Sequence, residues 1–394
     1  MGSVRGDTGT RGILSFGARA ALAACLIILF GTAHASGAVE EMTSAAFLEA
    51  YKSDVAGSGS NCFVRLTDEA VTHQFESLLD AVLAGDDTSA GAAIDELGVA
   101  GVRYRLVSLS DTAEPVLGFM ETAVPGDPDY RGWGAVLVRP ASAGRVVYQA
   151  PHVKADLYSE EITFRAFLDN PFSRAVVLAG AHRTAVGDGD GDGAPDSDVA
   201  NDTENLFHAL TGYLARRGLA QGAPLWFIQF HGAADRDTDP SVVGSDGSGI
   251  ASLPAGSPLV GINNVVDETG HVTMGVCGWR EGAGDDEDGV YALNASNNVQ
   301  GAMLATLGQR HSFMHFEIER TARDEWHAGA GSGFDGIGDL MGAIATTLSG
   351  TSPSSPPALP AWINFQPAAS EVPPGFLTDA GSPFRFMDGP ACGW

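Results

Sequence analysis

The feature that most constrains this fold is a series of short apolar runs that alternate with segments of helical periodicity. The runs AVVLAGA (175–181), PLWFIQF (224–230) and SFMHFEIE (312–319) stand out from more polar surroundings. A strand that is apolar along its length needs cover on both faces, as it has in the centre of an α/β sheet. The sequence therefore predicts an α/β fold, a three-layer sandwich around a mixed sheet.

The remaining elements follow from local spacing. Between about Val102 and Ala150, short runs rich in β-branched residues are separated by glycine, proline and aspartate, which predicts further strands. Apolar residues at helical spacing and residues that favour helix starts predict helices over 40–58, 67–85, a segment from Ser159, 202–217, 298–308 and 335–348.

The first 35 residues have the order of a secretory signal peptide. Arg5, Arg11 and Arg19 precede the apolar run AALAACLIILF, and the small-residue segment Ala33–Ala35 follows it. That run is shorter than the roughly 20 residues that a membrane-spanning helix needs. We expect cleavage after Ala35 and a secreted or periplasmic protein, with an uncleaved anchor or lipidation at Cys25 as the alternatives.

Charge and cysteine usage exclude several classes. The chain has 22 basic and 49 acidic residues, a formal net charge of −27, which argues against nucleic acid or an anionic membrane as a partner. Outside the leader the cysteines are Cys62, Cys277 and Cys392, and no CxxC pair occurs. This number does not indicate a disulfide scaffold, and the spacing does not indicate a structural zinc site.

Side chains with metal-binding chemistry follow or end three of the predicted strands. His152 and His231 come directly after strands, and Glu317 lies within the strand 312–319. Ligands of open α/β sheets bind at the carboxyl ends of strands, so these side chains are expected to meet. Two imidazoles and one carboxylate can hold zinc and leave one position for water. The candidates for that carboxylate are Asp156, Glu160 and Glu161.

The same region supplies candidates for the remaining catalytic roles. Glu317 is the predicted general base, which takes a proton from water and passes it to a leaving amine. Arg183, just beyond the strand 175–181, is the predicted donor to an oxyanion or a substrate carboxylate, with Arg323 as the second candidate.

The order and context of these residues resemble the zinc carboxypeptidase superfamily, including N-formylglutamate amidohydrolases and poly-γ-glutamate hydrolases. WFIQFHG resembles the strand that ends in the third zinc ligand, HFEIERTAR the strand with the catalytic glutamate, and AGAHRTA the Asn-Arg substrate element, with His182 in place of Asn. The resemblance covers about residues 100–345. It implies a zinc site of His152, Glu160 and His231, Glu160 being favoured because it opens a helix. The tight HxxE pair of the carboxypeptidases is missing, because Ala155 stands where its glutamate would be.

A second metal candidate is the aspartate-rich segment after Arg183. Asp188, Asp190 and Asp192 alternate with glycine, as oxygen ligands do in the first half of a calcium loop. Position twelve is Val199 rather than glutamate, so this is not an ordinary EF-hand, and Asp196 or Asp198 would have to complete the shell. Calcium binding and a flexible acidic loop are both compatible with this pattern.

The chain end reads as an extension of the main domain. The expected organisation is an α/β domain over 36–347, a Pro/Ser-rich linker over 348–360 and a tail over 361–394. The tail resembles the start of a malectin-like carbohydrate-binding module, but it is too short to close a β-sandwich. This resemblance implies contact with cell-wall material or another polysaccharide, and a simple Pro-rich extension is the alternative.

Together these patterns predict an exported zinc-dependent hydrolase that cleaves peptide or other amide bonds. The alternative is a non-catalytic exported binding protein on the same scaffold, stabilised by calcium and associated with carbohydrate. The dispersed ligand set favours the enzyme, whereas the missing HxxE pair favours the alternative.

Overall fold

The structure, a computed structural model, describes residues 38–140, 142–235, 240–247, 253, 256–277, 293–349, 351, 353, 362–365 and 376–379. The predicted signal peptide lies outside these residues, as do most of the predicted linker and tail. Nothing in the described part therefore tests export or the malectin-like resemblance, and both remain predictions.

A mixed sheet of ten strands runs through the described residues. Its strands are β1 (Val39–Met42), β2 (Tyr104–Leu109), β3 (Val116–Glu121), β4 (Ala135–Val138), β5 (Val146–Ala150), β6 (Ser173–Leu178), β7 (Trp226–Ala233), β8 (Val242–Ser245), β9 (Met274–Val276) and β10 (Phe313–Glu319). Their order in the sheet is β1-β2-β3-β4-β6-β5-β7-β10-β8-β9. The predicted α/β class with a mixed sheet is thereby confirmed.

Four neighbouring strands in this order, β6, β5, β7 and β10, are parallel to one another. β4 joins them antiparallel on one side, and β8 does so on the other. The parallel block has the apolar runs that the sequence shows, and β5 is buried along its whole length. Because parallel strands end at the same edge, residues that follow β5 come together in space with residues near the ends of β7 and β10.

Helices connect and cover the strands. They are α1 (Ser44–Asp54), α2 (Glu69–Ala84), α3 (Asp87–Val99), α4 (Ser159–Asp169), α5 (Leu206–Ala220), α6 (Pro258–Thr269), α7 (Val299–Thr306), α8 (Arg320–Ala328) and α9 (Ser332–Leu348), with a 3-10 turn at Arg310–Ser312. α4 packs against β5, β6 and β7, while α9 contacts both α6 and α8. No helix in the described part of the chain is both long and apolar enough to cross a membrane.

Capping residues explain where the observed helices differ from the predicted ones. The predicted helix 40–58 is instead β1 followed by α1, because the Thr43 side chain caps α1 by accepting from the Ala46 backbone N–H at 3.2 Å. α5 begins at Leu206 rather than 202, since Asn205 accepts from the His208 backbone N–H at 2.7 Å. Asparagine and threonine side chains at such positions satisfy N–H groups that the first helical turn leaves unpaired.

Aromatic packing holds the parallel block in place. Phe227 and Phe230 of β7 and Phe313 and Phe316 of β10 are among the largest fully buried side chains. Burying each one contributes about 2–3 kcal/mol relative to an exposed position. The strands that position the site are therefore anchored in the hydrophobic core. Outside this sheet, β11 (Trp362–Phe365) pairs in parallel with β12 (Phe376–Asp379).

Candidate metal centre

Three adjacent parallel strands bring the predicted site residues to one edge of the sheet. His152 follows the end of β5, His231 lies in β7, and Glu317 lies in β10. The register pairs Glu317 directly with His231, and it pairs Gln149 of β5 with Gln229 of β7. Neighbours in register point to the same face of a sheet, so Glu317 and His231 project side by side.

Two histidines and one aspartate converge there, and we call them the His–Asp–His centre: His152, Asp156 and His231. The two Nδ1 atoms lie 3.1 Å apart. Oδ2 of Asp156 lies 3.2 Å from Nδ1 of His152 and 3.4 Å from Nδ1 of His231. Tetrahedral zinc with bonds of about 2.0–2.1 Å has ligand atoms roughly 3.3–3.4 Å apart. The three atoms therefore have the spacing of three corners of a zinc tetrahedron.

The carboxylate of Asp198, on the side of the His152 ring that faces away from the centre, orients that ring. Nε2 of His152 lies 2.8 Å from Oδ1 of Asp198, which is buried to 1% exposure. Because a carboxylate only accepts, Nε2 carries a hydrogen, and Nδ1 is left as the nitrogen that faces the centre. A metal-ligating histidine commonly has such a carboxylate partner, which fixes the ring and strengthens its basicity. The orientation and hydrogen bonding of His152 thus fit those of a zinc ligand.

The electrostatics of the centre favour a positive charge between its members. Burial lowers the pKa of His152, but Asp156 and Asp198 outweigh burial and raise it to about 9. Burial, together with the neighbouring His315 and His152, lowers the pKa of His231 to about 4. Burial would raise the pKa of Asp156, yet the two imidazoles hold it well below its ordinary value. Without a metal, a proton on His152 supplies the positive charge that a bound cation would otherwise supply.

The carboxylate in this centre is Asp156, and the preference for Glu160 is not supported by the geometry. The backbone N–H of Asp156 donates to the His152 carbonyl at 2.9 Å, so one helix-like turn places both side chains on the same side. Glu160 is buried at the start of α4, and its Oε2 has no hydrogen-bond partner in the described residues. Glu161 pairs instead with Lys52 at 2.5 Å and with His327 at 2.8 Å.

Glu317 lies beside the centre without belonging to it. Its Oε1 is 3.3 Å from Nε2 of His315, whose ring centre is 4.2 Å from that of His231. Burial would raise the pKa of Glu317, but the hydrogen bond and charge of His315 and the charge of His231 lower it. Glu317 is therefore ionised at neutral pH and able to accept a proton.

The two predicted arginines have different environments. Nη2 of Arg183 lies 3.0 Å from Oδ2 of Asp198, and its side chain is 41% exposed. Arg183 thus lies next to the centre and can reach solvent. The guanidinium of Arg323 is buried and donates to the backbone carbonyls of Ile318, Leu157 and Ala233. Each of its three nitrogens donates to a backbone carbonyl. Arg323 therefore holds the loop after β5 in place, and the structure does not support a role in binding substrate.

The predicted calcium segment forms a separate cluster in which Asp188 and Asp190 are exposed and Asp196 is buried. Asp188, Asp190 and Asp196 have carboxylate oxygens within 4.8 Å of one another, and Asp192 is not in this group. Both oxygens of Asp188 already accept backbone N–H groups, from Gly191 at 2.6 Å and Gly193 at 3.1 Å. The segment is therefore an aspartate loop with internal hydrogen bonds, and nothing in its geometry requires an ion.

A groove of about 890 Å³ lies elsewhere, among α1, α4, α8 and α9. Trp326 and Phe334 line it, and no member of the His–Asp–His centre does. Its size does not make it the reactive site, because the groups with metal-binding chemistry are at the strand ends.

Sequence patterns left two supporting residues without a definite role. Asp198 follows the aspartate loop and is 46 positions from His152, so its contact with Nε2 is not visible in local spacing. Gln229 lies two residues before His231 in β7, is fully buried, and bonds to Nε2 of His231 at 3.2 Å. A glutamine inside an otherwise apolar run was the available signal, since buried polar groups require partners.

Comparison with known proteins adds little to this geometry. No family description matches the chain, and no curated protein does. Among solved structures, the zinc-free form of YndL aligns over 55% of this chain and 89% of its own, at 12% identity and a TM-score of 0.29. A metallo-carboxypeptidase from Pseudomonas aeruginosa, in complex with (2-guanidinoethylmercapto)succinic acid, aligns over 55% of this chain and 60% of its own. The identity there is 11% and the TM-score 0.33. At these values neither similarity supports an argument about activity.

Proposed function

We propose that this protein is an exported zinc-dependent hydrolase of amide bonds, in peptides or isopeptide-like substrates. The observation that carries the proposal is the convergence of two Nδ1 atoms and one carboxylate oxygen at separations of 3.1–3.4 Å. This spacing, with an ordered partner behind each imidazole, is what a three-residue catalytic zinc site needs.

The chemistry divides between the centre and its neighbours. When bound by His152, Asp156 and His231, zinc would polarise a substrate carbonyl and make a water more acidic. The ionised Glu317 accepts the proton of the attacking water and returns it to the departing amine nitrogen. His315 holds the Glu317 carboxylate beside His231 through the 3.3 Å contact.

Arg183 supplies the positive charge for the substrate. It is tied to Asp198 at one nitrogen and partly exposed, so its other nitrogens can donate to an anionic substrate group or a developing oxyanion. This favours substrates with a carboxylate near the cleaved bond, as peptides and glutamyl-linked polymers have. Calcium in the aspartate loop, and polysaccharide contact through the tail, would be accessory to this activity.

Metal content and hydrolysis test the proposal directly. The purified mature protein should contain about one zinc per chain, and chelation should abolish hydrolysis of α- and γ-linked glutamyl peptides. N-terminal sequencing of the exported protein should begin at or near Ser36. A protein that binds no zinc, or binds it without cleaving any of these peptides, would favour the non-catalytic binding protein instead.

A further inference from the structure

We infer that Gln229 is a positioning residue that fixes the tautomer of His231, and that a buried amide network fixes the direction of Gln229. This inference rests on the proposed metal function of His231. The network consists of fully or almost fully buried side chains that connect β5, β7, α5 and α7: Gln149, Thr211, Gln229, Asn298 and Gln300.

The first fixed point of the network is a backbone carbonyl. Nε2 of Gln300 donates to the carbonyl oxygen of Val199 at 2.7 Å. Because that oxygen can only accept, the amide nitrogen of Gln300 must point toward it. Its Oε1 then faces Nε2 of Gln229 at 3.3 Å, and Gln229 must be the donor.

The second fixed point is the start of a helix. Oδ1 of Asn298 accepts from the backbone N–H groups of Gln300 and Gly301, both at 3.0 Å, and caps α7. Those groups can only donate, so Nδ2 of Asn298 faces the other way. It donates to Oε1 of Gln229 at 2.7 Å.

The third fixed point is the carbonyl of Phe207 in α5. The hydroxyl of Thr211 donates to it at 2.7 Å, so its oxygen accepts from Nε2 of Gln149, also at 2.7 Å. Oε1 of Gln149 consequently accepts from Nε2 of Gln229 at 3.1 Å. Three separate backbone contacts therefore give Gln229 the same orientation.

The orientation of Gln229 determines which nitrogen of His231 carries the hydrogen. Since the Gln229 amide nitrogen is used by two acceptors, its Oε1 faces His231, and Nε2 of His231 must carry the hydrogen. Nδ1 then keeps its lone pair and points at Nδ1 of His152 and at Asp156. The Asp198 carboxylate holds Nε2 of His152 as a donor, whereas a neutral amide holds Nε2 of His231 as a donor.

This arrangement also separates ligands from catalytic neighbours. His231, His315 and Glu317 form a second group with donor atoms within 4.8 Å of one another. His231 has a single free lone pair once Nε2 is protonated, and that lone pair faces His152 and Asp156. The network therefore assigns His231 to the His–Asp–His centre and leaves Glu317 free to act as a base.

Two measurements test the inference. In zinc-free protein at neutral pH, nitrogen-15 NMR should show that His231 carries its hydrogen on Nε2. The variant Gln229→Met should bind zinc about 10- to 100-fold more weakly in competition with a chelator, the usual cost of losing such a partner. Gln309→Met is the matched control, because Gln309 is also buried but lies before the start of β10, away from the centre, and zinc affinity should not change.

The outcomes separate this inference from the proposed function. A hydrogen on Nδ1 of His231, or an unchanged zinc affinity in Gln229→Met, would overturn the inference while the zinc site stands. If the unsubstituted protein binds no zinc, the proposed function fails, and the NMR tautomer still decides the role of Gln229. The NMR measurement uses the unsubstituted chain, so it does not depend on whether the variant folds.

Discussion

The His–Asp–His centre and the aspartate loop both bring metal-binding side chains together, but they do so in opposite environments. In the centre, the members are buried to between 3% and 7% exposure, and their facing atoms lie 3.1–3.4 Å from one another. In the loop, Asp188 and Asp190 are exposed, and their oxygens accept backbone N–H groups within the same turn. Arg65 also pairs with Asp190 at 2.6 Å.

This contrast shows that close spacing of ligand groups is not enough to indicate a metal site. An exposed carboxylate is already solvated by water, and Asp190 also pairs with Arg65, so an ion that replaces these contacts gains little. Lone pairs that face one another in a buried site repel unless a cation or proton lies between them. The centre is therefore expected to bind metal strongly and the loop weakly.

The largest expected effect is the loss of metal from the centre. His231→Ala removes one corner of the tetrahedron, so zinc content should fall from about one per chain to near zero, with complete loss of hydrolysis. Metal analysis of the purified protein measures this directly. His73→Ala, on the exposed face of α2, is the control and should keep its zinc. Full zinc content in His231→Ala would move the metal site away from this edge of the sheet.

The next largest effect is a loss of turnover without a loss of zinc, which distinguishes the general base from the metal ligands. Glu317→Gln keeps the shape of the side chain but cannot accept a proton, so turnover should fall on the order of 100-fold or more while zinc is retained. Turnover and zinc content should be measured on the same preparation. Loss of zinc in this variant would show that Glu317 is a ligand, which contradicts the assignment.

A smaller effect, on zinc affinity, is expected when the hydrogen-bond partner of His152 is changed. Asp198→Asn removes the charge that orients this imidazole, so zinc affinity should fall about 10-fold or more. Arg183→Ala removes the other partner of Asp198 and should raise KM without releasing metal. If the two variants lose zinc equally, Asp198 acts through its ion pair with Arg183 rather than through His152.

The smallest effect is expected in the aspartate loop. Millimolar calcium should raise the melting temperature by no more than about 3 °C, and Asp190→Ala combined with Asp192→Ala should remove the rise. Differential scanning calorimetry of the zinc-loaded protein measures it. A rise above about 10 °C would make the loop a true metal site, and no rise would make it an acidic turn only.

The fold class and the strand-end positions of three site residues could be predicted from local sequence patterns. The α/β class follows from apolar runs that only a covered sheet can accommodate. The positions of His152, His231 and Glu317 at strand ends follow from the boundaries of those runs, because the carboxyl ends of parallel strands share an edge. Helix boundaries were less well predicted, since capping by Thr43 and Asn205 decided them within a few residues.

The tertiary structure decided which side chains complete the centre. Asp156 rather than Glu160 faces the imidazoles because of the turn between His152 and Asp156, which spacing to a helix start does not reveal. Asp198 and Gln229 support the two histidines through contacts set by strand register and loop path. Local patterns determine which elements form and which residues end them. Convergence to within 3–4 Å depends on how distant elements pack, and no short stretch of sequence contains that information.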